Sequence, residues 1–161
     1  MQPESFVVDH MDSPIGMIRM VCDVQGRLCQ CEFESSEKLG SNYRAGKAPQ
    51  VVRDGLAAYF VGALDALISI VVRMEGTAFQ QRVWRALREI PVGSTTSYGA
   101  LAAKLGDSKA ARAVGLANNR NPVGIVVPCH RVIGADGSLT GYAGGLSRKR
   151  WLLTHERALL A

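Results

Sequence analysis

Two short helices separated by a glycine are encoded in residues 97–118, which read SYGALAAKLGDSKAARAVGLAN. Ser97 is a favourable N-cap for a first helix that stops at Gly106, and a second helix is predicted from Ser108 to Asn118. Two short helices joined by a glycine turn have the outline of a helix-turn-helix. Many helical hairpins with this outline bind nothing, so the pattern predicts an architecture and leaves the function open.

A longer helix is predicted directly upstream of this pair. Thr77 followed three residues later by Gln80 is a capping-box pattern, and Pro91 ends the helix. The apolar stripe of this helix is formed by Phe79, Val83, Trp84, Leu87 and Ile90.

Downstream, the sequence alternates between strands and a last helix. Residues 125–127 are predicted to form a buried strand, and residues 132–133 and 139–140 a small hairpin wing. A final helix capped by Ser147 is predicted from Arg148 to Leu160. Helices followed by a small wing predict a winged helix-turn-helix domain over residues 76–161.

The first half, residues 1–75, is predicted to be a separate α/β domain. Its predicted elements are strands at 6–8, 15–22 and 28–33, a loop at 36–47, a helix that begins near Pro49, and a strand at 67–72. The predicted fold class is therefore α/β, with a sheet-and-helix domain followed by a helical one.

Composition excludes several classes of protein. The chain has 161 residues, of which 47% are hydrophobic and 20% charged, as expected for a folded globular chain. Its longest apolar runs, such as residues 66–72, are far shorter than the roughly 20 residues of a membrane span, and the N-terminus does not resemble a secretion signal. We therefore expect a soluble, cytoplasmic protein with no membrane partner.

The two halves of the chain carry opposite charge. Residues 1–75 contain 7 basic and 10 acidic side chains, a net charge of −3, whereas residues 76–161 contain 12 and 4, a net charge of +8. Such asymmetry indicates that the second half meets a polyanion, of which nucleic acid is the commonest. A basic surface that is merely solvated explains the same numbers and stays open at this point.

The four cysteines and three histidines do not predict a metal site. Cys22, Cys29 and Cys31 lie close together, but no second CxxC or HxxxH pair completes a tetrahedral zinc set. We expect these three cysteines to be small buried residues on strands.

Cys129 is different, because it follows an apolar run and a proline and precedes two basic residues, His130 and Arg131. Such neighbours are expected to lower the pKa of a thiol towards neutrality and to produce a nucleophilic thiolate. An inert buried cysteine is the alternative.

The surrounding string, NPVGIVVPCHRVI at 121–133, closely resembles the active-site signature of the O6-alkylguanine-DNA alkyltransferases, also called methylated-DNA-protein-cysteine methyltransferases. Further blocks follow the family order: GTAFQQRVW at 76–84, TSYG at 96–99, KAARAVG at 109–115, TGYAGG at 140–145 and WLLTHE at 151–156, with DSPIG at 12–16 as a weaker match. The resemblance covers the second half of the chain.

The resemblance implies a fold and a reaction. The expected fold is a ribonuclease-H-like domain followed by a winged helix-turn-helix domain. The expected reaction is the irreversible, stoichiometric transfer of an alkyl group from O6 of alkylguanine, and less readily from O4 of alkylthymine, to Cys129. The expected partner is double-stranded DNA containing the lesion, bound by a monomer that clusters along DNA, with neither a cofactor nor a metal.

The resemblance also assigns roles to residues near Cys129. His130 resembles the family's histidine that acts through a bound water, Glu156 the carboxylate that holds this histidine, and Asn121 the residue that braces the turn. The residues expected to form the alkylguanine pocket are Val132, Tyr142, Ala143 and Gly144. Ala143 stands where some relatives have serine, so only its backbone amide is expected near O6.

A second group is expected to act on DNA. Arg112 resembles the arginine that replaces a flipped base in the stack, and Tyr98 the tyrosine that rotates the target phosphate. Small side chains around Arg112 are expected to let this helix approach the floor of the minor groove: Ala110, Ala111, Ala113 and Gly115.

Three alternatives remain at this point. A non-catalytic lesion binder of the same fold would lack the cysteine that this chain keeps. A winged-helix transcriptional regulator would explain the charge but not the Pro-Cys-His-Arg string, and it predicts a sequence-specific operator. A cysteine hydrolase predicts turnover of a small ester or amide.

Overall fold

The computed structural model describes residues 3–33 and 38–159 of a mixed α/β chain. The chain divides into two compact units, Met1–Met74 and Glu75–Ala161. The first unit contains β1 (Phe6–Met11), β2 (Ile18–Asp23), β3 (Leu28–Phe33), β4 (Tyr43–Ala45) and α1 (Gln50–Phe60). The second contains α2 (Ala78–Arg88), β5 (Thr96–Ser97), α3 (Tyr98–Lys104), α4 (Ala111–Asn119), a 3-10 turn (Cys129–Arg131), β6 (Val132–Ile133) and α5 (Leu146–His155).

The sheet of the first unit has the strand order β3-β2-β1-β4. The first three strands form an antiparallel meander, as the sequence predicts, and β2 is buried along its whole length. Polar residues of β2 are paired: Arg19 with Glu32 of β3, and Asp23 with Arg27. The fourth strand, β4, pairs in parallel with β1 and lies in the stretch predicted to be a loop. The prediction missed this strand because its polar sequence carries no strand periodicity.

The strand predicted at residues 67–72 is wrong for residues 67–70, and only its end pairs with the sheet, where Val72 forms a parallel bridge with Leu28 of β3. Hydrogen bonds from Ala66 N to Ala63 O and from Ile70 N to Leu67 O wind this segment into turns. Leu67 and Ile70, three residues apart, are buried, whereas Ile68 is 78% exposed. A short apolar run does not distinguish strand from turn, and here the spacing of the buried residues follows the helical rather than the two-residue period.

In the second unit, α2 begins at the predicted capping box. The Thr77 side chain accepts from the Gln80 backbone N–H at 3.1 Å, and the Gln80 side chain accepts from the Thr77 N–H at 2.9 Å. Trp84 on the buried face donates its indole N–H to the Ala117 carbonyl at 2.9 Å. This bond ties α2 to α4 and satisfies a buried donor.

Thr77→Ala is expected to lower the free energy of unfolding by about 1 kcal/mol, because the first turn of α2 loses an acceptor for an unpaired backbone N–H. Urea denaturation followed by circular dichroism measures the effect. Thr77→Ser is the matched control, since it keeps the hydroxyl and is expected to stay near the wild-type value. Equal stability of the alanine and serine variants would contradict the prediction.

The two short helices predicted from the sequence are both present. Ser97 accepts from the Ala100 backbone N–H at 3.0 Å and caps α3, and Gly106, with φ of +91°, turns the chain after it. The second helix, α4, begins three residues later than predicted, because Asp107 first forms a turn with Lys109 and Ala110.

The strand predicted at residues 125–127 is wrong, and the predicted hairpin wing is present only as a short turn in which Gly134 N donates to Ser138 O at 2.8 Å. Ile125 has φ of +69°, a left-handed conformation that no strand accommodates, and Val127 N bonds to Val123 O in a turn. Residues 132–133 do form a strand, β6, but it pairs in parallel with β5, while residues 139–140 are not a strand. Residues 125–127 are apolar and β-branched because they are buried, and a buried tight turn can have the same composition as a buried strand.

The last helix, α5, begins two residues earlier than predicted. Its N-cap is Gly145, with φ of +92°, in place of Ser147. It ends at His155, and Leu160, the predicted end, lies outside the described residues. Within the described part of the chain, none of the helices combines the length and hydropathy needed to cross a membrane.

Candidate active site

Cys129 opens the 3-10 turn and is buried, with 7% of its surface exposed. The loop before it is braced by Asn121, whose side chain donates to Val127 O at 2.8 Å and accepts from Val123 N at 3.0 Å. From the end of α4, the Asn118 side chain donates to the Cys129 carbonyl at 3.3 Å. The backbone that carries the thiol is therefore held from two sides.

Glu156, one residue beyond α5, forms hydrogen bonds with both basic neighbours of Cys129, His130 and Arg131. His130 Nε2 lies 2.7 Å from Glu156 Oε2, and Arg131 Nε lies 2.8 Å from Oε1 with Nη2 at 3.1 Å from Oε2. Arg131 Nη1 also donates to the Ile90 carbonyl at 2.8 Å. All three charged or titratable side chains are buried, so the turn and the end of α5 are joined by one polar cluster.

This cluster sets the charge of its members. Burial favours the neutral form of Glu156, but hydrogen bonds from His130 and Arg131 outweigh it and lower the pKa of Glu156 to about 2. Burial also lowers the pKa of His130 below its ordinary value, and Glu156 only partly opposes this effect. Glu156 is therefore ionised, His130 Nε2 donates to it, and His130 is neutral at pH 7.

The prediction that basic neighbours lower the pKa of the Cys129 thiol is wrong. Burial raises the pKa of this thiol, and a hydrogen bond from the Asn121 side chain, the charge of Lys149 and a backbone hydrogen bond of Cys129 itself only partly oppose the rise. The physical reason is that His130 is neutral and the Arg131 guanidinium is paired with Glu156, so neither adds a free positive charge beside the thiol. At rest Cys129 is a buried thiol, and a nucleophilic thiolate requires a group that takes its proton.

His130 Nδ1 is the buried polar atom that could take this proton. It has no hydrogen-bond partner among the residues that the structure describes, and the His130 side chain is fully buried. With Nε2 donating to Glu156, Nδ1 carries the lone pair.

Lys149 is a site residue that the sequence reasoning missed. It is fully buried on α5, and its Nζ donates to the carbonyls of Val132 at 2.7 Å, Thr140 at 2.7 Å and Gly141 at 3.2 Å. Burial lowers the pKa of Lys149 to about 8, and interaction with Cys129 opposes this. Lys149 sits in a basic run typical of a solvated surface, but its spacing from buried Leu152 and Leu153 was an available signal.

The residues predicted to line the alkylguanine pocket lie on β6 and on the loop before α5. Val132 is buried, and its carbonyl already accepts from Lys149. Tyr142 and Gly144 are half-buried and Ala143 is exposed. Lys149 therefore links the β6 part of this group to the loop that leads to Tyr142.

The residues predicted to act on DNA lie on α3 and α4, with Ala110 at the N-cap of α4. Arg112 and Ala113 are exposed, whereas Ala110 and Ala111 are half-buried. The Tyr98 hydroxyl donates to the Thr140 carbonyl at 3.1 Å.

The Tyr98 ring packs on α4 at Gly115. A Cβ at Gly115 would lie 3.6 Å from the ring, an ordinary van der Waals contact, so a small residue at this position allows the two helices to approach.

Among residues 3–33 and 38–159, no three His, Cys, Asp or Glu side chains are grouped as metal ligands. Cys22 and Cys31 are buried in the sheet, and burial raises the pKa of each thiol to about 12. The third cysteine, Cys29, is half-buried on β3.

Glu156→Gln is expected to remove an acid-sensitive component of stability. The pKa of this carboxyl is about 2 in the folded chain against 4.5 for an unperturbed glutamate, so its contribution is complete above pH 4.5 and is lost as the pH falls towards 2. The wild type is expected to be more stable than the variant at pH 7 by on the order of 3 kcal/mol, and the difference should shrink between pH 4.5 and 2.

Urea unfolding at several pH values measures this difference. Glu89→Gln is the control, because Glu89 is an exposed carboxylate that pairs with Lys104 at the surface. A Glu156→Gln difference that stays constant down to pH 2 would contradict the assignment of this component to Glu156.

Fold and site together define a class of protein: a small α/β chain whose basic, helical second unit carries a cysteine on a braced turn beside a histidine-glutamate pair. Comparisons with known proteins give the particular family. A family model described as "6-O-methylguanine DNA methyltransferase, DNA binding domain" matches residues 78–158. The chain belongs to the methylated-DNA--protein-cysteine methyltransferase family, an enzyme family, which confirms the resemblance identified from the sequence motifs.

Individual relatives are similar along most of the chain. A methylated-DNA--protein-cysteine methyltransferase of Salmonella typhimurium is 48% identical over 160 residues, covering 92% of this chain and 94% of the relative. One of Mycolicibacterium paratuberculosis is 60% identical over 151 residues, covering 91% and 90%.

Solved structures show the same fold. Mycobacterium tuberculosis OGT in complex with DNA has a TM-score of 0.85 and 43% identity, covering 94% of this chain and 93% of that one. The O6-methylguanine-DNA methyltransferase of Pyrococcus kodakaraensis has a TM-score of 0.68 and 26% identity, covering 94% and 98%.

Proposed function

We propose that this protein repairs DNA by moving an alkyl group from O6 of guanine, and less readily from O4 of thymine, onto the sulfur of Cys129. The observation that carries the proposal is the placement of Cys129 on a turn braced by Asn121, within the part of the chain that matches the family. The substrate is double-stranded DNA that contains the lesion.

The chemistry is a displacement at the alkyl carbon. The Cys129 thiol gives its proton, through a water molecule, to His130 Nδ1, and Glu156 stabilises the imidazolium that forms. The thiolate attacks the carbon in line with the bond to O6, the carbon–oxygen bond breaks, and the electron pair leaves with guanine. Guanine then takes up a proton, and the products are a thioether on Cys129 and the restored base.

The pocket for the base is formed by Val132, Tyr142, Ala143 and Gly144. Lys149 supports it by holding the Val132 carbonyl and the carbonyls of the loop before Tyr142 in place. A carbonyl oxygen has two lone pairs, so Val132 O retains one that accepts from the exocyclic amine of guanine. The Ala143 backbone amide lies near O6.

Contact with DNA is made by α3 and α4. Arg112, exposed on α4, enters the base stack in place of the flipped nucleotide, and Tyr98 rotates its phosphate. The small residues of α4, Ala110, Ala111, Ala113 and Gly115, let the helix lie deep in the minor groove. In support, a relative with 43% identity was crystallised in complex with DNA, and residues 76–161 carry a net charge of +8.

We assign the two halves to different tasks. Residues 76–161 form the alkyltransferase domain, of the winged helix-turn-helix type with a shortened wing, and residues 1–75 form a ribonuclease-H-like domain. The protein acts as a monomer, and several copies bind next to one another on DNA.

The test is mass spectrometry of peptides after incubation with duplex DNA containing O6-methylguanine. We expect Cys129 to gain the mass of a methyl group in place of a hydrogen. An unmodified Cys129 together with tight binding to one DNA sequence would support a transcriptional regulator instead. Repeated turnover of a small ester would support a hydrolase.

Binding to undamaged DNA is expected to fall steeply with salt and to depend little on sequence, because phosphate contacts release counterions whatever the bases are. Fluorescence anisotropy at several salt concentrations, with two unrelated duplexes of equal length, measures both properties. A strong preference for one duplex would contradict the expected mode of binding.

A further inference from the structure

Arg131 is a buried charge in the site for which the proposed reaction names no role. Arg131 follows His130 in the 3-10 turn, and both side chains form hydrogen bonds with Glu156. The guanidinium contacts both carboxylate oxygens of Glu156 and the carbonyl of Ile90, at distances from 2.8 to 3.1 Å. Because the side chain is buried and bonded through all three nitrogens, its charge is fixed in position.

We propose that Arg131 is a positioning residue that supplies the counter-charge of Glu156 and so keeps His130 neutral, with Nδ1 available to accept the proton of Cys129. The inference rests on the proposed function, because it concerns the group that receives this proton. Arg131 acts through Glu156.

The charges of the buried cluster support this role. Arg131 and Glu156 neutralise each other, so the cluster with a neutral His130 has no net charge. A proton added to His130 at rest would place an unbalanced positive charge in a buried site that already contains Lys149, which is unfavourable. When the proton comes from Cys129, the thiolate formed at the same time balances the imidazolium. Arg131 thus makes protonation of His130 conditional on formation of the thiolate.

The opposite arrangement follows if Arg131 is removed. Glu156 is then a buried carboxylate that still contacts His130 but lacks the charge of Arg131, and a carboxylate beside a histidine favours the imidazolium. Of the groups that face His130, Glu156 raises its pKa, whereas Arg131 and Lys149 lower it. With Arg131 absent, His130 is expected to carry protons on both nitrogens before the reaction, and the acceptor is lost.

The experiment is an NMR titration of the full chain labelled with ¹⁵N-histidine. The chain has three histidines, so His10→Gln and His155→Gln assign the signals by elimination. In the wild type we expect His130 to be neutral at pH 7 with its proton on Nε2. In Arg131→Met we expect the pKa of His130 to rise far enough that the ring carries protons on both nitrogens at pH 7. Arg131→Lys keeps the charge and is expected to restore most of the wild-type titration.

Arg157→Met is the matched control. It removes a positive charge one residue from Glu156, but Arg157 is exposed, so the titration of His130 should not change. A folded Arg131→Met variant with an unchanged His130 titration would overturn the inference. A wild-type His130 that is charged at pH 7, or protonated on Nδ1, would also overturn it, and this measurement does not depend on whether the variant folds.

The rate of Cys129 methylation separates an electrostatic from a structural role. Arg131→Met should transfer the methyl group more slowly at pH 7, and the difference from the wild type should narrow as the pH is raised and His130 loses its extra proton. A loss that is equal at every pH would indicate a structural role and contradict the inference. If the wild type does not methylate Cys129, the proposed function fails, while the titration still tests the role of Arg131.

Discussion

Cys129→Ser is expected to abolish alkyl transfer. A serine hydroxyl is much harder to ionise than a thiol and is a weaker nucleophile, so the alkyl carbon finds no group to attack it. The wild type should transfer one methyl group per molecule and then stop, because a thioether has no leaving group that water displaces under mild conditions. Transfer of a radioactive methyl group from O6-methylguanine duplex, with DNA in excess, measures both results.

Cys29→Ser is the matched control for this variant. Cys29 is a half-buried thiol on β3, and its replacement should leave the stoichiometry at one methyl group per molecule. The Cys129→Ser variant should still bind the damaged duplex, since the exposed residues of α4 are unchanged. Label on Cys29, or product that keeps accumulating beyond one equivalent, would contradict the assignment of Cys129 as the single-use acceptor.

Arg112→Ala is expected to slow repair of duplex DNA by about tenfold or more, because extrusion of a base costs a few kcal/mol of stacking and pairing that the arginine offsets. The free base O6-methylguanine needs no extrusion, so its slower reaction with Cys129 should change little. Comparison of the two rates in single-turnover experiments isolates the flipping step from the chemistry.

Arg120→Ala is the control for charge. Arg120 is also exposed, at the C-terminal end of α4, and its loss should weaken binding to duplex DNA without a selective effect on the rate of transfer once DNA is bound. If Arg112→Ala reduced the rate of transfer equally with duplex DNA and with the free base, Arg112 would not be the residue that enters the stack. The same conclusion would follow if Arg120→Ala reduced the rate with duplex DNA as much as Arg112→Ala does.

Local rules were sufficient for much of the fold. The capping box of α2, the Ser97 cap of α3 and the antiparallel meander of the first three strands are formed by residues close in sequence, and all three are confirmed. The family resemblance was also available from the motifs around Cys129, and the comparisons confirm it.

Errors arose where burial and backbone conformation are set by distant contacts. Apolar β-branched runs predicted strands at residues 67–72 and 125–127, but residues 67–70 and 125–127 form turns, and Ile125 adopts a left-handed conformation. An apolar run of this length indicates that a segment is buried, but it does not indicate which backbone conformation the segment adopts.

The sequence by itself determined the helices with strong periodicity, the position of the cysteine in a Pro-Cys-His-Arg turn and the basic character of the second half. Only the tertiary structure decided which partners the buried charged side chains of this second half contact. It joined His130 and Arg131 to Glu156, placed Lys149 on three carbonyls and buried Cys129, and this burial keeps the Cys129 thiol protonated at rest. The reason is that the pKa of a buried group depends on partners brought together by packing, which sequence spacing does not specify.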